Sequence, residues 1–156
     1  MTGTVPTELG LLSSLETLDL GLNSMNGTLP TEVGLMTGLQ KLFMNNNSFT
    51  GTLPTELGQL LALQNVDLSD NGFTGPLHQE LVQWNGLIRL NVSMNALTGT
   101  IPIEISQLTN LTGFAFQHNH FTGSVSDILC LDTKSRLEWE FLEGDCLVDD
   151  GGLVEI

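Results

Sequence analysis

The chain has 156 residues, with 18 acidic side chains against four basic ones and a formal charge of −14. That balance excludes ordinary binding to phosphate backbones and attraction to anionic membrane surfaces, both of which need a basic patch. A composition of 40% hydrophobic and 14% charged residues describes a folded domain, not a disordered chain, and no run of ~18 apolar residues is present to cross a bilayer.

From its start the sequence repeats. Glycines fall at 3, 27, 51, 75, 99 and 123 and asparagines at 23, 47, 71, 95 and 119, a spacing of 24 with no insertions. The units open GTVPTELG, GTLPTEVG, GTLPTELG, GPLHQELV, GTIPIEIS and GSVSDILC. The glycines allow a backbone turn, and Pro6, Pro30, Pro54 and Pro102 fix a bend in the outer, convex segment. After an LxxL step come LETLDLGLN, LQKLFMNNN, LQNVDLSDN, LIRLNVSMN and LTGFAFQHN. Their fourth and sixth residues are apolar: Leu18 and Leu20, Leu42 and Met44, Val66 and Leu68, Leu90 and Val92, Phe114 and Phe116. That alternation predicts short strands with one buried face. Strands one coil apart must lie parallel, ~4.8 Å from one another. Further apolar columns, among them Val5 to Val125 and Met25 to Phe121, can be buried only by stacking coil on coil. Asn23, Asn47, Asn71, Asn95 and Asn119 follow the strands, where the chain turns and leaves inward amides and carbonyls unpaired; an asparagine side chain can satisfy both.

The lattice begins inside a repeat, with Val5, Leu9 and Leu12 uncovered on one side, so an N-terminal cap is expected to be missing and the chain to be part of a longer protein. The lattice ends after Leu129, so residues 1–130 make about five and a half coils. Residues 137–141 (LEWEF) alternate with period two and predict a cap over 131–148, followed by a tail over 149–156. Cys130 and Cys146 flank that cap. They form either a bridge contributing ~3 kcal/mol or two free, half-buried thiols.

The LxxLxLxxN segments and the GxIPxxLGxLxxL-like openings resemble the plant-type leucine-rich repeat family over residues 3 to about 130, with a lesser resemblance to diatom leucine-rich repeat proteins. The resemblance implies an α/β, right-handed solenoid bent into a horseshoe arc. A parallel sheet would line its concave side, and 3-10 or irregular segments its convex side. It also implies a cysteine-stapled cap, and a role as the ectodomain of a receptor-like kinase or receptor-like protein, or as a secreted inhibitor, at the cell surface or outside the cell. In such proteins the partner is a protein or peptide ligand or a co-receptor. An oxidising compartment would suit glycosylation at Asn26 and Asn110; the sequons at Asn46 and Asn91 fall on the concave face, where a glycan would obstruct binding.

On the concave face the core columns repeat and the outward ones vary. The candidate ligand-binding residues are Thr17, Asp19, Lys41, Phe43, Asn65, Asp67, Asp70, Arg89, Asn91, Met94 and His118. Phe43 and Met94 are apolar side chains expected on a solvent-facing sheet, ringed by polar ones, which suits a peptide or protein partner. His118-Asn119-His120 spells HNH, but Asn119 is a lattice asparagine and no acidic ligand is fixed beside the histidines, so no metal site is assigned. No phosphate loop, nucleophile elbow or HExxH motif is present. The expected function is non-enzymatic recognition without a cofactor. Two other readings stay open: a structural or adhesive extracellular repeat protein, and an intracellular scaffold fragment.

Overall fold

The structure, a computed structural model, describes residues 1–123. The predicted cap, Cys130, Cys146 and the tail lie outside the described residues.

Strands Thr17–Asp19, Lys41–Phe43, Asn65–Asp67, Arg89–Asn91 and Gly113–Ala115 pair in parallel as one five-stranded sheet. Leu18, Leu42, Val66, Leu90 and Phe114 stand in register across it, one per coil. All five are buried. The period-two pattern therefore places its apolar residues inward, as the hydrophobic effect requires. On the convex side each coil carries one 3-10 turn: Thr7–Leu11, Thr31–Leu35, Thr55–Gln59, Gln79–Gln83 and Ile103–Gln107. Four of them follow a proline, but the fourth follows His78, whose φ of −73° and ψ of 144° match those of Pro30. Proline pre-sets this bend; coil stacking suffices to impose it. The stacking is close, since a Cβ on Gly34 would lie 2.5 Å from the Glu56 carbonyl oxygen of the next coil.

A second sheet stands where the sequence predicts irregular chain. Strands Thr2–Gly3, Ser24–Gly27, Ser48–Thr52, Gly72–Gly75, Ala96–Gly99 and His120–Phe121 form six parallel strands. Most sink a single apolar side chain into the core, from Met25, Phe49, Phe73, Leu97 and Phe121. One inward residue per strand leaves no alternation for sequence reading to detect. Phe49 and Phe73 stack with ring centroids 6.1 Å apart.

The asparagines bond to their own coil and to the coil before it. Asn47 Nδ2 donates to Met44 O at 3.1 Å and to Leu20 O at 2.9 Å, while its Oδ1 accepts from Met25 N at 2.9 Å. Asn71 repeats the pattern with Leu68, Met44 and Phe49, Asn95 with Val92, Leu68 and Phe73, and Asn119 with Phe116, Val92 and Leu97. Asn23 Nδ2 donates to Leu20 O at 3.0 Å and Gly21 O at 2.8 Å. Trp84 occupies a column otherwise held by Leu and Met; it is 1% exposed, and its Nε1 donates to Leu57 O at 2.8 Å. Within residues 1–123 the first coil is covered by a neighbour on one side, and Leu12 is 47% exposed there where Met36 and Leu60 of the same column are at 0%.

Replacing Asn71 with Ala strands the Phe49 amide, while Met44 O and Leu68 O keep their bonds from Asn47 and Asn95, and should cost about 1–3 kcal/mol. Trp84→Ala removes the largest fully buried side chain among the described residues and should cost ~3–5 kcal/mol. Urea unfolding followed by circular dichroism measures both.

Candidate functional site

The five-stranded sheet places its outward side chains in ladders. Thr17, Lys41, Asn65, Arg89 and Gly113 stand side by side in one. Asp19, Phe43, Asp67, Asn91 and Ala115 form another, in which Phe43 is flanked by two aspartates. Neighbours in a ladder are ~4.8 Å apart, close enough for one ligand side chain to touch two coils. Thr17, Asp19, Lys41 and Arg89 are exposed, whereas Asn65, Phe43, Asp67 and Asn91 are half-buried. Phe43 thus offers part of its ring to solvent while the rest lies in the sheet.

Asp70, Met94 and His118 lie beyond the strand ends, all exposed. They belong to a column that also includes Leu22 and Asn46, whose φ values run 54°, 55°, 53°, 55° and 57°. This left-handed conformation is forced by the turn that aims the next asparagine inward. Asparagine and aspartate tolerate it, while leucine and methionine adopt it at a cost of roughly 1–2 kcal/mol. Met94 is held there 51% exposed and Leu22 79% exposed.

Three candidates also have a local job. The Asp19 Oδ1 accepts from Gly21 N at 3.0 Å. The Asp67 Oδ1 accepts from Ser69 N at 3.0 Å and from Ser69 Oγ at 2.6 Å. Asn91 makes the equivalent pair of bonds with Ser93, at 3.1 and 2.7 Å. These bonds hold the turn after the strand and occupy one oxygen of each side chain. The spacing that reveals them, Asp or Asn followed two residues later by Ser or Gly, is present in the sequence at 19–21, 67–69 and 91–93 but carries no signal apart from the turn.

The HNH triplet is divided. Asn119 is bonded to the core, His118 belongs to the left-handed column, and His120 begins a strand of the second sheet. Asn26 is exposed on that second sheet, and Asn110 is exposed with its Nδ2 donating to Asn85 O at 2.8 Å. Asn46 is exposed and Asn91 half-buried. Among the described residues, no helix is long and apolar enough to cross a membrane.

Stacked parallel coils with an inward asparagine column and a varied outer face define a leucine-rich repeat solenoid. Residues 38–60 and 86–108 match the Leucine Rich Repeat family profile. No curated protein matches the sequence. Among solved structures, the plant peptide hormone receptor RGFR1, in complex with RGF2, is 37% identical with a TM-score of 0.76 over 77% of this chain and 19% of the receptor chain. The Arabidopsis receptor kinase HAESA, in complex with the peptide hormone IDA and the co-receptor SERK1, is 33% identical with a TM-score of 0.75 over 77% of this chain and 20% of that one. A plant ice-binding protein is 29% identical with a TM-score of 0.64 over 67% of this chain and 34% of its own. The chain belongs to the leucine-rich repeat family, in its plant-type branch. It spans about a fifth of the length of the receptor chains it matches first.

The local bonds separate two kinds of outward residue. Asp67→Ala should cost about 1 kcal/mol by releasing Ser69, while Lys41→Ala on the same face should stay within about 0.5 kcal/mol of the parent. Urea unfolding of the two variants side by side measures the difference.

Proposed function

We propose that this chain is a non-enzymatic recognition module that takes a protein or peptide ligand, or a co-receptor, on its five-stranded sheet. The observation that carries this reading is the contrast between an interior that is apolar in every coil and an outer face on which each coil presents different chemistry. A ligand that differs along its own length can be matched coil by coil only by such a face. Phe43 between Asp19 and Asp67, with exposed Asp70 and Met94 beyond, suits an extended segment carrying an apolar anchor beside a basic side chain. The similarity to receptors solved with peptide hormones and a co-receptor supports the same reading. The same likeness supports work outside the cell or at its surface, as part of a longer chain; the proposal further takes residues 131–148 as a cap with Cys130 and Cys146 bridged, on the resemblance of the sequence alone.

A second reading concerns the other sheet. The similarity to a plant ice-binding protein, together with a solvent-facing sheet that carries no Asp, Glu, Lys or Arg, supports recognition of ice.

For the first reading, the parent protein is screened against a displayed random-peptide library, and selected peptides are titrated against the Phe43→Ala, Arg89→Ala, Met94→Ala triple variant. The expected outcome is loss of binding with an unchanged melting curve. Retention of full affinity by the folded variant would place the site elsewhere.

A further inference from the structure

We infer, resting on the second reading above, that the ice-contacting face is the six-stranded sheet and that its threonines present their hydroxyl and methyl groups to the ice lattice. The chain carries 18 acidic residues, yet segments 24–28, 48–52, 72–76 and 96–100, which form the middle of this sheet, contain no charged residue. A carboxylate or ammonium orders water around its own charge and competes with the hydrogen-bond pattern of ice. A neutral sheet does not. The absence of charge also removes the attraction a cationic protein or a nucleic acid would need.

Threonine supplies what such a surface requires. Its hydroxyl both donates and accepts, as lattice water does. Its branched Cβ restricts χ1, so little rotamer freedom is lost when the hydroxyl engages a fixed partner. Here the side chains are further fixed by the glycine lattice. Gly27, Gly51 and Gly75 have φ of +83°, +79° and +76°, and a Cβ on each would lie 2.8 Å from the Cγ2 of Thr4, Thr28 and Thr52 in the preceding coil. The missing side chain is the seat of the threonine methyl. Across the strands Thr52 stands opposite Thr74, and both are exposed. Among the described residues the hydroxyls of Thr28, Thr50, Thr52 and Thr74 have no protein partner. On the 3-10 turns, by contrast, Thr7, Thr31 and Thr55 bond to Glu8, Glu32 and Glu56.

The two sheets differ in symmetry as well as in charge. The five-stranded sheet changes its outward residues from coil to coil, which suits a ligand with a sequence. The six-stranded sheet carries threonine at the same place in most coils, at Thr2, Thr50, Thr74 and Thr98 with Asn26 as the exception and at Thr4, Thr28, Thr52 and Thr100 with Pro76 as the exception, which suits a ligand that itself repeats. A crystalline polysaccharide also repeats, but flat polysaccharide faces are gripped by outward aromatic rings, and here Phe49 and Phe73 are both 0% exposed.

The test uses the full chain in an ice-recrystallisation and ice-shaping assay on a cold stage, with pull-down on microcrystalline cellulose in parallel. Thr52→Lys with Thr74→Lys puts two charges on the exposed sheet; Thr52→Ala with Thr74→Ala removes the same groups without adding charge. The Phe43, Arg89, Met94 triple alanine variant controls for the other sheet, and circular dichroism checks that each variant is folded. The parent and the triple variant are expected to shape ice and suppress recrystallisation equally, and both threonine pairs to lose that activity. Parent protein without effect on ice, with or without cellulose binding, overturns both the ice reading and the assignment of its face. Active parent protein whose folded threonine variants keep full activity, or whose triple variant alone loses it, overturns the assignment while the ice reading stands.

Discussion

The fold depends on one side chain per coil making bonds in two directions. An asparagine Nδ2 reaches a carbonyl of its own coil and one of the coil before, and its Oδ1 receives an amide of the preceding coil, as Asn47 does with Met44, Leu20 and Met25. Each bond is worth on the order of 1 kcal/mol, but leaving the buried groups unpaired would cost more. The spacing of 24 holds without exception from Asn23 to Asn119, so each asparagine from Asn47 onward meets the same groups of the preceding coil.

Two faces with different chemistry follow from that fixed coil. The turn that aims the asparagine inward forces the residue before it into the left-handed region, which throws Asp70, Met94 and His118 to the rim of the five-stranded sheet. Beyond the asparagine the chain straightens for a few residues, sinks one apolar side chain and reaches a glycine whose open side receives a threonine methyl. The interior is held constant by packing. On the five-stranded face only the turn bonds of Asp19, Asp67 and Asn91 constrain the outward side chains, whereas on the six-stranded face the glycine seats hold threonine methyls coil after coil.

Much of this was legible in the sequence, for identifiable reasons. The five-stranded sheet was visible because Leu42 and Met44, like their counterparts, are separated by one polar residue, and the stacking was visible because no single coil could bury its apolar columns. The second sheet was not, because a strand with one inward residue between Gly, Ser and Thr has no periodicity to read. Its hidden signal was the recurrence of Thr-Gly-Thr at 2–4, 50–52 and 98–100. The glycine was rightly tied to the turn, but its second role, as a seat for a neighbouring methyl, needs coordinates. The bonds of Asp67 and Asn91 to Ser69 and Ser93 were hidden for a similar reason: a polar residue on a predicted binding face reads as a contact until a backbone amide is seen to hold it.

Native-state hydrogen exchange by NMR probes the asparagine stitching most directly. The amides of Met25, Phe49, Phe73 and Leu97, each donating to an asparagine Oδ1 of the next coil, should exchange only through opening of the whole stack, with one shared free energy. Exchange of these four amides as fast as those of the exposed convex turns would contradict the role given to the ladder.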